Sequence, residues 1–461
     1  MELSITKKDE ILTKLETIVG LDFVSNNPED LFIYSQDSGA SLPRPVDYVV
    51  MPRTAEEVQK IVKLANKEKI PLVPMGAGMT LSGLTIPIKG GIVVDMKRMD
   101  KILEINEVSR YALIEAGVTT GILTAYLEKH HPDLEVSIPD APPSATVTGN
   151  ALIHGSGFLS QKYGNHGEMI NGLEVVLPNG ELCKLGSCSV SDYWFTRGPI
   201  PDLTGLFISS FGTLGIATKI SIKLYPKDNL RDLAVGVFNN PEMIPIAISK
   251  ITQIDLAEDI TFFLQDKPAF MKGNVFLMTF ITGNTQEEID SKTKKLKRLY
   301  RKTKGSYMKI PETLNKFFLE KPMFISTAAD YRKGGGFEYV GSFIPLENIP
   351  EAIIKAREIS LKYGISPTQV SRVIGKGHNV MFAASFSFNR ADPADMENAR
   401  NALHETNQLV LDLGGIIWKS ELTGQKLILE KMDPNYKILF KTIRDALDPN
   451  GIMNPGNWEI T

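Results

Sequence analysis

The stretch PMGAGMTLSG, residues 74–83, decides the fold. It directly follows an apolar run, IPLV, and combines three glycines with the hydroxyl side chains of Thr80 and Ser82. So many small residues together let the backbone approach a ligand closely, and the N–H groups of such a loop can cradle a phosphate or pyrophosphate. A plain tight turn, the alternative, would not need so many small residues.

The surroundings of this loop exclude the two common nucleotide motifs. A dinucleotide fingerprint opens a helix, but no helical periodicity follows here until Thr119. A P-loop requires Gly-Lys-Ser/Thr, which the stretch lacks. Upstream, residues 54–69 predict an amphipathic helix with Thr54 in a capping box, while IPLVPM and GGIVVDM predict strands. The loop therefore connects a strand to an irregular segment.

Two further segments rich in small residues follow within about 150 residues of the first. They are SIPDAPPSATVTGNALIHGSGF at 137–158 and FGTLGIATKISIKLYP at 211–226. Between them, GLEVVLPNGELCKLG at 172–186 predicts a β-hairpin with a Pro-Asn-Gly turn. One long, extended, polar ligand would use all three loops.

Composition excludes several classes of protein. The 461 residues carry a net charge of −3, so there is no basic footprint for nucleic acid. No apolar run approaches the ~18 residues of a membrane span, and the charged N-terminus does not resemble a secretory signal. Cys183 and Cys188 are too few to ligate an iron–sulfur cluster. We expect a cytoplasmic protein with two reduced thiols.

The glycine-rich motifs, in their order and spacing, carry a specific resemblance. PMGAGMTLSG, PSATVTGN, GLEVVLPNGE, GTLGIATKISIKLYP and the terminal ALDPNGIMNPGNW resemble the vanillyl-alcohol oxidase/p-cresol methylhydroxylase (PCMH) flavoprotein family, whose wider circle includes D-lactate and glycolate dehydrogenases. The resemblance implies an α+β fold. Its parts would be an N-terminal helical segment (1–35), a two-part PCMH-type FAD-binding domain (36–226), an α/β substrate (cap) domain with an antiparallel sheet (227–415), and a C-terminal segment returning to the FAD domain (416–461).

The cofactor implied by the resemblance is FAD, held without a covalent bond. Tyr339, next to Glu338, leaves a tyrosyl linkage open. The loop 74–83 would hold the pyrophosphate, the later loops would line a second wall and flank the flavin or adenine, and Asn454 would close over the rings. The residues so assigned are Pro74, Met75, Gly76, Ala77, Gly78, Met79, Thr80, Ser82, Pro139, Ser144, Ala145, Thr146, Gly149, Asn150, Gly155, Gly157, Phe158, Gly215, Ile216 and Asn454.

The substrate motifs of both branches of the family are altered. Where the phenol-oxidising branch has an acidic residue, a tyrosine and a Tyr-Arg pair, this chain has Ile153, Leu84 and Trp418-Lys419. We therefore do not expect a p-hydroxybenzyl substrate. The paired histidines and the Gly-Glu-His-Gly motif of the hydroxy-acid branch are also missing, so we expect no metal site.

Five residues are candidates for catalysis. His378, at the start of the predicted strand GHNVMFAASF, matches a family active-site histidine, and His378 or His154 would be the base. Lys419 and Arg372 would clamp a substrate anion. Lys419 and Glu421 lie two apart on a predicted strand, IIWKSEL, and so would share a face. Structural alternatives remain open: a surface Lys419–Glu421 ion pair, and packing roles for Arg372 and His154.

These expectations combine into a function. The chain is predicted to be an FAD-dependent dehydrogenase or oxidase that moves hydride from an alcohol or 2-hydroxy acid to flavin N5. Its partners would be a small-molecule substrate and a separate electron-acceptor protein, with oxygen as another acceptor. The alternative is the flavin-carrying subunit of a larger electron-transfer complex. A homodimer is also left open, because relatives often pair through their substrate domains.

Overall fold

The computed structural model describes residues 5–266, 271–319 and 334–460, so parts of the predicted segments 1–35, 227–415 and 416–461 lie outside the described residues. Its strands are β1 (Val24–Ser25), β2 (Tyr48–Val50), β3 (Leu72–Met75), β4 (Ile92–Asp95), β5 (Ile102–Asn106), β6 (Tyr111–Glu115), β7 (Leu134–Glu135), β8 (Ile170–Val176), β9 (Leu182–Gly186), β10 (Ile216–Lys223), β11 (Tyr225–Pro226), β12 (Leu230–Phe238), β13 (Asp259–Gln265), β14 (Val275–Gly283), β15 (Ser306–Met308), β16 (Gly336–Ile344), β17 (Thr368–Ile374), β18 (Asn379–Phe388) and β19 (Ile416–Trp418).

Several helices begin at a residue whose side chain caps them. Thr54 Oγ1 accepts a 3.2 Å hydrogen bond from the N–H of Glu57, as the capping pattern predicted, and Glu57 accepts one from the N–H of Arg53. The helices are α1 (Ile5–Val19), α2 (Pro28–Tyr34), α3 (Ala55–Glu68), α4 (Thr120–His130), α5 (Val147–Leu152), α6 (Ser160–Tyr163), α7 (Met243–Gln253), α8 (Gln286–Lys302), α9 (Glu312–Leu319), α10 (Ile349–Lys362), α11 (Pro393–Asp412), α12 (Leu422–Lys431) and α13 (Pro434–Leu447).

Two sheets form the N-terminal half. The first has the order β1-β2-β4-β3, in which β2, β4 and β3 run parallel. The second is antiparallel, with the order β5-β6-β10-β8-β9. The predicted hairpin is confirmed, because Val176 on β8 lies opposite Leu182 on β9. The first glycine-rich loop leaves β3 at the C-terminal edge of the parallel strands, where open sheets bind ligands.

An eight-stranded antiparallel sheet, called the cap sheet below, forms the second half. Its order is β15-β12-β14-β13-β17-β18-β16-β19. Apolar residues of α7, α8, α10 and α11 pack against it in one buried cluster. The sheet content and the mixed helices confirm the predicted α+β class. The strand β19, formed by residues 416–418, completes the cap sheet by pairing Trp418 with Gly341 on β16.

The last segment of the chain returns to β3. The N–H of Leu72 donates to the carbonyl of Ile452, and the N–H of Asn454 donates to the carbonyl of Leu72. Both hydrogen bonds are 2.7 Å long. These bonds fix the terminal motif beside the first glycine-rich loop. The C-terminal segment therefore packs beside that loop rather than on the cap sheet.

The predicted strand IIWKSEL is shorter than the alternation indicated. It stops at Trp418, because Lys419 adopts a left-handed backbone with φ of +50°. Glu421 then caps α12, accepting hydrogen bonds from backbone N–H groups of that helix. The expected common face for Lys419 and Glu421 is therefore not formed.

Candidate functional site

A cavity of about 280 Å³ lies between the first glycine-rich loop and the cap sheet. Its walls come from the loop after β3, the segments around 139–156 and 207–217, and the face of the cap sheet. The cap supplies an apolar and aromatic wall: Phe337, Tyr339, Val370, Met381, Ala383 and Trp418. The three sequence loops therefore meet at one elongated site.

The first loop presents free backbone donors to this cavity. The described residues offer no hydrogen-bond partner to the six N–H groups from Gly76 to Leu81. Gly78, Leu81 and Ser82 have left-handed backbones, with φ of +67°, +60° and +57°. Consecutive N–H groups in such a curled loop form an anion-binding concavity.

Side chains near the loop also fit a phosphate-bearing cofactor. A Cβ at Gly76 would lie 2.4 Å from Thr146 Oγ1, so only glycine allows this close approach. The hydroxyls of Thr80 and Thr148 are buried without a partner among the described residues, and both residues line the cavity. Unsatisfied buried donors are costly unless a ligand pairs with them. The residues present therefore fit the pyrophosphate of FAD.

Most of the residues predicted to bind the cofactor line the cavity. They are Pro74, Met75, Gly76, Ala77, Gly78, Met79, Thr80, Pro139, Ala145, Thr146, Gly149, Asn150, Gly215 and Ile216. Six others lie behind the wall or away from it: Ser82, Ser144, Gly155, Gly157, Phe158 and Asn454.

The six residues outside the wall have other contacts. Ser82 is buried and bonds Glu338, whereas Ser144 is exposed. A Cβ at Gly157 would lie 2.2 Å from the carbonyl oxygen of Ile138, so this glycine permits backbone packing. The remaining ones support the wall indirectly: a Cβ at Gly155 would meet the Asn150 side chain, Phe158 lies in the core, and Asn454 is described next.

Asn454 acts on the cavity through Phe211. Its amide donates a 2.6 Å hydrogen bond to the carbonyl oxygen of Phe211, a residue that lines the cavity. The Trp458 ring stacks on Phe211 with centroids 5.4 Å apart. The terminal motif therefore holds a cavity loop in place, and we correct its expected position over the cofactor rings.

Lys419 lies where the first loop meets the aromatic wall. Its side chain is buried, and Nζ donates a 2.5 Å hydrogen bond to the carbonyl oxygen of Thr80. Nζ also lies 4.2 Å from the centre of the Tyr339 ring and 5.1 Å from that of Trp418. Burial lowers the pKa of Lys419 to about 8, against the opposing attraction of Glu338 and Asp37.

Glu338 anchors the end of the same loop. Its carboxylate accepts hydrogen bonds from the hydroxyl of Ser82 (3.1 Å), the N–H of Ser82 (3.2 Å) and the N–H of Ala40 (3.3 Å). Burial, with the nearby charge of Asp37, raises its pKa to about 7, although Lys419 opposes the shift. Glu338 and Lys419 thus form an electrostatically coupled pair at the junction of loop and cap.

Arg372 does not present a free charge. Its guanidinium bonds Asp259 through Nε (3.0 Å) and Nη2 (3.0 Å), and it also bonds both carboxylate oxygens of Asp140. Burial works against its charged form, but the two carboxylates outweigh that effect and raise its pKa. We therefore withdraw Arg372 from the anion clamp, because a substrate would have to displace a carboxylate.

His378 and Glu421 also lie outside the cavity wall. His378 is exposed at the turn between β17 and β18. Glu421 bonds the N–H of Gly424 (2.9 Å) and the amide of Asn407 (2.7 Å), as a helix cap. The expected convergence of His378, Lys419 and Glu421 is not observed, because His378 lies at a hairpin turn and Glu421 lies at the start of a helix.

His154 lies one residue behind the wall. Ile153 lines the cavity, whereas His154 turns away with φ of +57° and contacts Asn165 through Nε2 at 3.2 Å. Its buried Nδ1 has no partner among the residues that the structure describes. Burial lowers the pKa of His154, although the charge of Glu168 opposes this effect. In this position it does not reach a substrate directly.

Sequence reasoning missed several wall residues. Asp140 was hidden within the small-residue segment at 137–158, where only its charge distinguished it. Phe211 sits before a Gly-rich turn and looks like a core residue. Met381 belongs to an apolar strand whose cavity face could not be separated from its core face. Among the described residues of the wall, the titratable side chains are Asp140, Tyr339 and Lys419.

Comparison with known proteins places this arrangement in a family. Residues 46–186 match the model of an FAD binding domain, and residues 253–458 match the C-terminal domain of FAD linked oxidases. A glycolate oxidase subunit GlcD of Bacillus subtilis (strain 168) is 26% identical, over 97% of this chain and 96% of its own. A mitochondrial D-lactate dehydrogenase [cytochrome] of Arabidopsis thaliana is 27% identical, over 97% of this chain and 79% of its own.

A solved structure confirms the fold. The crystal structure of p-cresol methylhydroxylase with substrate bound superposes with a TM-score of 0.86 at 21% identity, covering 99% of this chain and 98% of that one. The chain belongs to the FAD-linked oxidoreductases of the p-cresol methylhydroxylase type, with kinship to D-lactate and glycolate oxidising enzymes. Its cofactor is FAD, and the chain is an FAD-dependent oxidoreductase.

Two further findings concern residues 5–266, 271–319 and 334–460. No helix there is both long and apolar enough to cross a membrane. No group of three or more His, Cys, Asp or Glu side chains there is arranged to hold a metal ion.

Proposed function

We propose that this enzyme oxidises the CH–OH group of an alcohol or 2-hydroxy acid to a carbonyl, with Lys419 as the general base. The observation that carries the proposal is the buried amine of Lys419, placed between the loop that fits the pyrophosphate and the aromatic wall of the cap. The names of two relatives support the substrate class, because glycolate and D-lactate are both 2-hydroxy acids.

The N–H groups from Gly76 to Leu81 would hold the pyrophosphate, and Thr146 and Asn150 would form the opposite wall. The chemistry that bound FAD supplies is two-electron oxidation, with uptake at flavin N5 of the hydride leaving the substrate carbon. The protein's own share is to position the substrate, exclude water and take up the hydroxyl proton.

Lys419 suits the role of proton acceptor. A lysine whose pKa is about 8 is partly neutral near physiological pH, and catalytic lysines are tuned to this range by burial. The other titratable groups of the described wall are less suited. Asp140 is held by Arg372, and burial raises the pKa of the Tyr339 hydroxyl, followed by the effect of Glu338.

The electrons then leave to a separate electron-acceptor protein or to oxygen. The relative from Bacillus subtilis is named as a subunit, which supports a partner for this chain too. The second candidate function therefore remains the flavin-carrying subunit of a larger electron-transfer complex. It predicts that no small alcohol or hydroxy acid reduces the flavin directly.

We also propose that FAD is held without a covalent bond. Tyr339 is the residue left open for a tyrosyl linkage, but burial and the charge of Glu338 raise its pKa, which disfavours a phenolate nucleophile. Acid precipitation tests this directly. Yellow colour should leave the pellet, and colour that stays in it would contradict the proposal.

Anaerobic stopped-flow mixing tests the proposed function itself. The purified flavoprotein is mixed with a panel of alcohols and 2-hydroxy acids, and flavin bleaching is followed. Bleaching with formation of the matching aldehyde, ketone or keto acid supports the proposal. A flavin that no member of either class reduces, yet that dithionite reduces, favours the electron-transfer subunit instead.

A further inference from the structure

The side chains that line the cap end of the cavity suit an apolar group of a substrate. Phe337 and Tyr339 are two positions apart on β16, so both side chains face the cavity, and their rings lie 6.3 Å apart. Trp418 completes the wall at 6.3 Å from Tyr339, and its indole N–H is already used by the carbonyl oxygen of Ile153. With Met381, these side chains offer mainly apolar surface, and among the four only Tyr339 keeps a side-chain hydrogen-bond donor, its hydroxyl.

The cation at this end is already compensated. Lys419 binds Thr80 and Glu338 binds Ser82, two residues further along the same loop, and the charges of Glu338 and Asp37 both act on Lys419. Glu338 is fully buried, and Asp37 accepts hydrogen bonds from the N–H groups of Gly39 (2.8 Å) and Gly83 (2.9 Å), so the loop structure fixes both acids in place. A substrate carboxylate would therefore meet a group of charges that is neutral or negative.

The second nearby cation is compensated as well. Arg372 is bonded by Asp140 from the FAD side and by Asp259 from β13. Both side chains of the Arg372–Asp259 pair are buried. The three side chains of this cluster together carry one negative charge. Apart from Lys419, no Lys or Arg of the described residues lines the cavity.

We propose that the substrate is an uncharged alcohol with an apolar or aromatic substituent, and that Glu338, by compensating Lys419, determines this specificity. The inference rests on the proposed oxidation of a CH–OH group and narrows it. A desolvated carboxylate without a free cation is strongly disfavoured, and like charges placed together repel one another. The inference separates this chain from the relatives named for glycolate and D-lactate.

The reaction balances without a further reactant. The substrate carbon loses its C–H bond as a hydride to the oxidising cofactor, and the hydroxyl loses its proton to the neutral amine of Lys419. The C–O single bond becomes a carbonyl. Two electrons and two protons thus leave the alcohol, and an uncharged product remains.

A matched pair of substrates tests the inference. Methyl mandelate and mandelate share one carbon skeleton and one hydroxyl, but only mandelate is charged. In anaerobic stopped-flow experiments the ester, offered as both enantiomers, should reduce the flavin at least ~10-fold faster at equal concentration. Faster reduction by mandelate, lactate or glycolate overturns this specificity while leaving CH–OH oxidation intact. Reduction by neither class overturns the proposed function, and this inference with it.

Glu338→Gln tests the residue. The variant removes the negative charge beside Lys419 but keeps an acceptor for Ser82, so an anionic substrate is repelled less and the ratio of ester to acid rates should fall at least ~10-fold. Differences in intrinsic reactivity between ester and acid cancel in this comparison. Glu347→Gln, which removes an exposed carboxylate of the same domain, should leave the ratio unchanged. An unchanged ratio in a Glu338→Gln protein with full FAD content excludes Glu338 as the determinant.

Ligand binding gives a readout that needs no turnover. Benzamide and benzoate are titrated into the parent holoenzyme and followed by the flavin spectrum, and benzamide should bind at least ~10-fold more tightly. If Glu338→Gln does not retain FAD, Asp37→Asn serves as the second variant, and benzoate should gain affinity in it. Tighter binding of benzoate than benzamide to the parent enzyme contradicts the inference.

Discussion

The ammonium group of Lys419 donates a 2.5 Å hydrogen bond to the carbonyl oxygen of Thr80. Lys419 directly follows the last strand of the cap sheet, whereas Thr80 belongs to the loop whose free N–H groups fit the cofactor's pyrophosphate. One buried side chain thus connects the loop proposed to bind the cofactor with the cap wall proposed to bind the substrate.

Gly78→Asp should remove FAD from the protein. Gly78 has a φ of +67° in the loop with free N–H groups, so a side chain there is strained and a carboxylate would repel the pyrophosphate. We expect FAD affinity to fall at least ~10²-fold, measured by the flavin content after purification. Gly364→Asp is the matched control, since Gly364 has the same φ of +67° in an exposed position. A fully yellow Gly78→Asp protein would show that this loop does not hold the cofactor.

Arg372→Met should destabilise the fold instead of weakening substrate binding. The change leaves Asp140 and Asp259 without their shared partner, and breaking a buried pair costs ~3–5 kcal/mol of unfolding free energy. Chemical denaturation measures the loss. The double variant with Asp259→Asn should recover part of it. A normal unfolding free energy with a strongly raised KM would return Arg372 to the anion clamp.

His378→Ala should have little effect. The side chain is exposed at a hairpin turn and does not line the cavity, so we expect the unfolding free energy to change by less than ~0.5 kcal/mol. The rate of flavin reduction should stay within a factor of about two of the parent, within the range of a neutral surface change. A fall in rate of ~10² or more would restore His378 as the base.

His166 should make the fold sensitive to acid. Its ring contacts Ser137 Oγ (2.8 Å) and the amide oxygen of Asn150, and burial, with a smaller effect of Arg372, lowers its pKa to about 3. An unfolded histidine has a pKa of about 6.5, so below that pH the unfolded state binds a proton that the folded state does not. Stability therefore falls as the pH falls from about 6.5 toward 3.

The measurement is the melting temperature of parent and His166→Gln between neutral and mildly acidic pH. The variant cannot take up this proton, so its melting temperature should decline less steeply than that of the parent. Parallel curves would show that His166 is not the titrating group.

The glycine-rich motifs predicted the fold, and most of the residues they assigned to the cofactor line the cavity. Three of the wall segments are set by local chemistry: a loop that needs glycine at 76 and 78, a capped helix start at Thr146, and close packing at Gly215, where a Cβ would lie 2.8 Å from the carbonyl oxygen of Val176. Such constraints are visible in sequence because only small residues, or Ser and Thr caps, satisfy them. The motifs were therefore sufficient to predict FAD as the cofactor.

The arrangement of Lys419, Glu421 and Arg372 could not be predicted in the same way. Whether Lys419 and Glu421 share a face depends on where β19 ends, and the left-handed backbone at Lys419 leaves no signal in the alternation of IIWKSEL. The pairing of Arg372 with Asp140 and Asp259 joins residues more than 100 positions apart, as does that of Glu338 with Ser82. Such contacts arise from tertiary packing, which a single sequence does not show.

The dependence of flavin reduction on pH tests the central claim most directly. With an uncharged alcohol as reductant, the rate in the parent should rise with pH through an inflection near 8, because the neutral amine of Lys419 is the base. Lys419→Met should lower the rate by ~10²–10⁴ and abolish the inflection, while the exposed control Lys426→Met keeps both. A Lys419→Met protein that binds FAD and shows the parental rate and the same inflection would contradict the account.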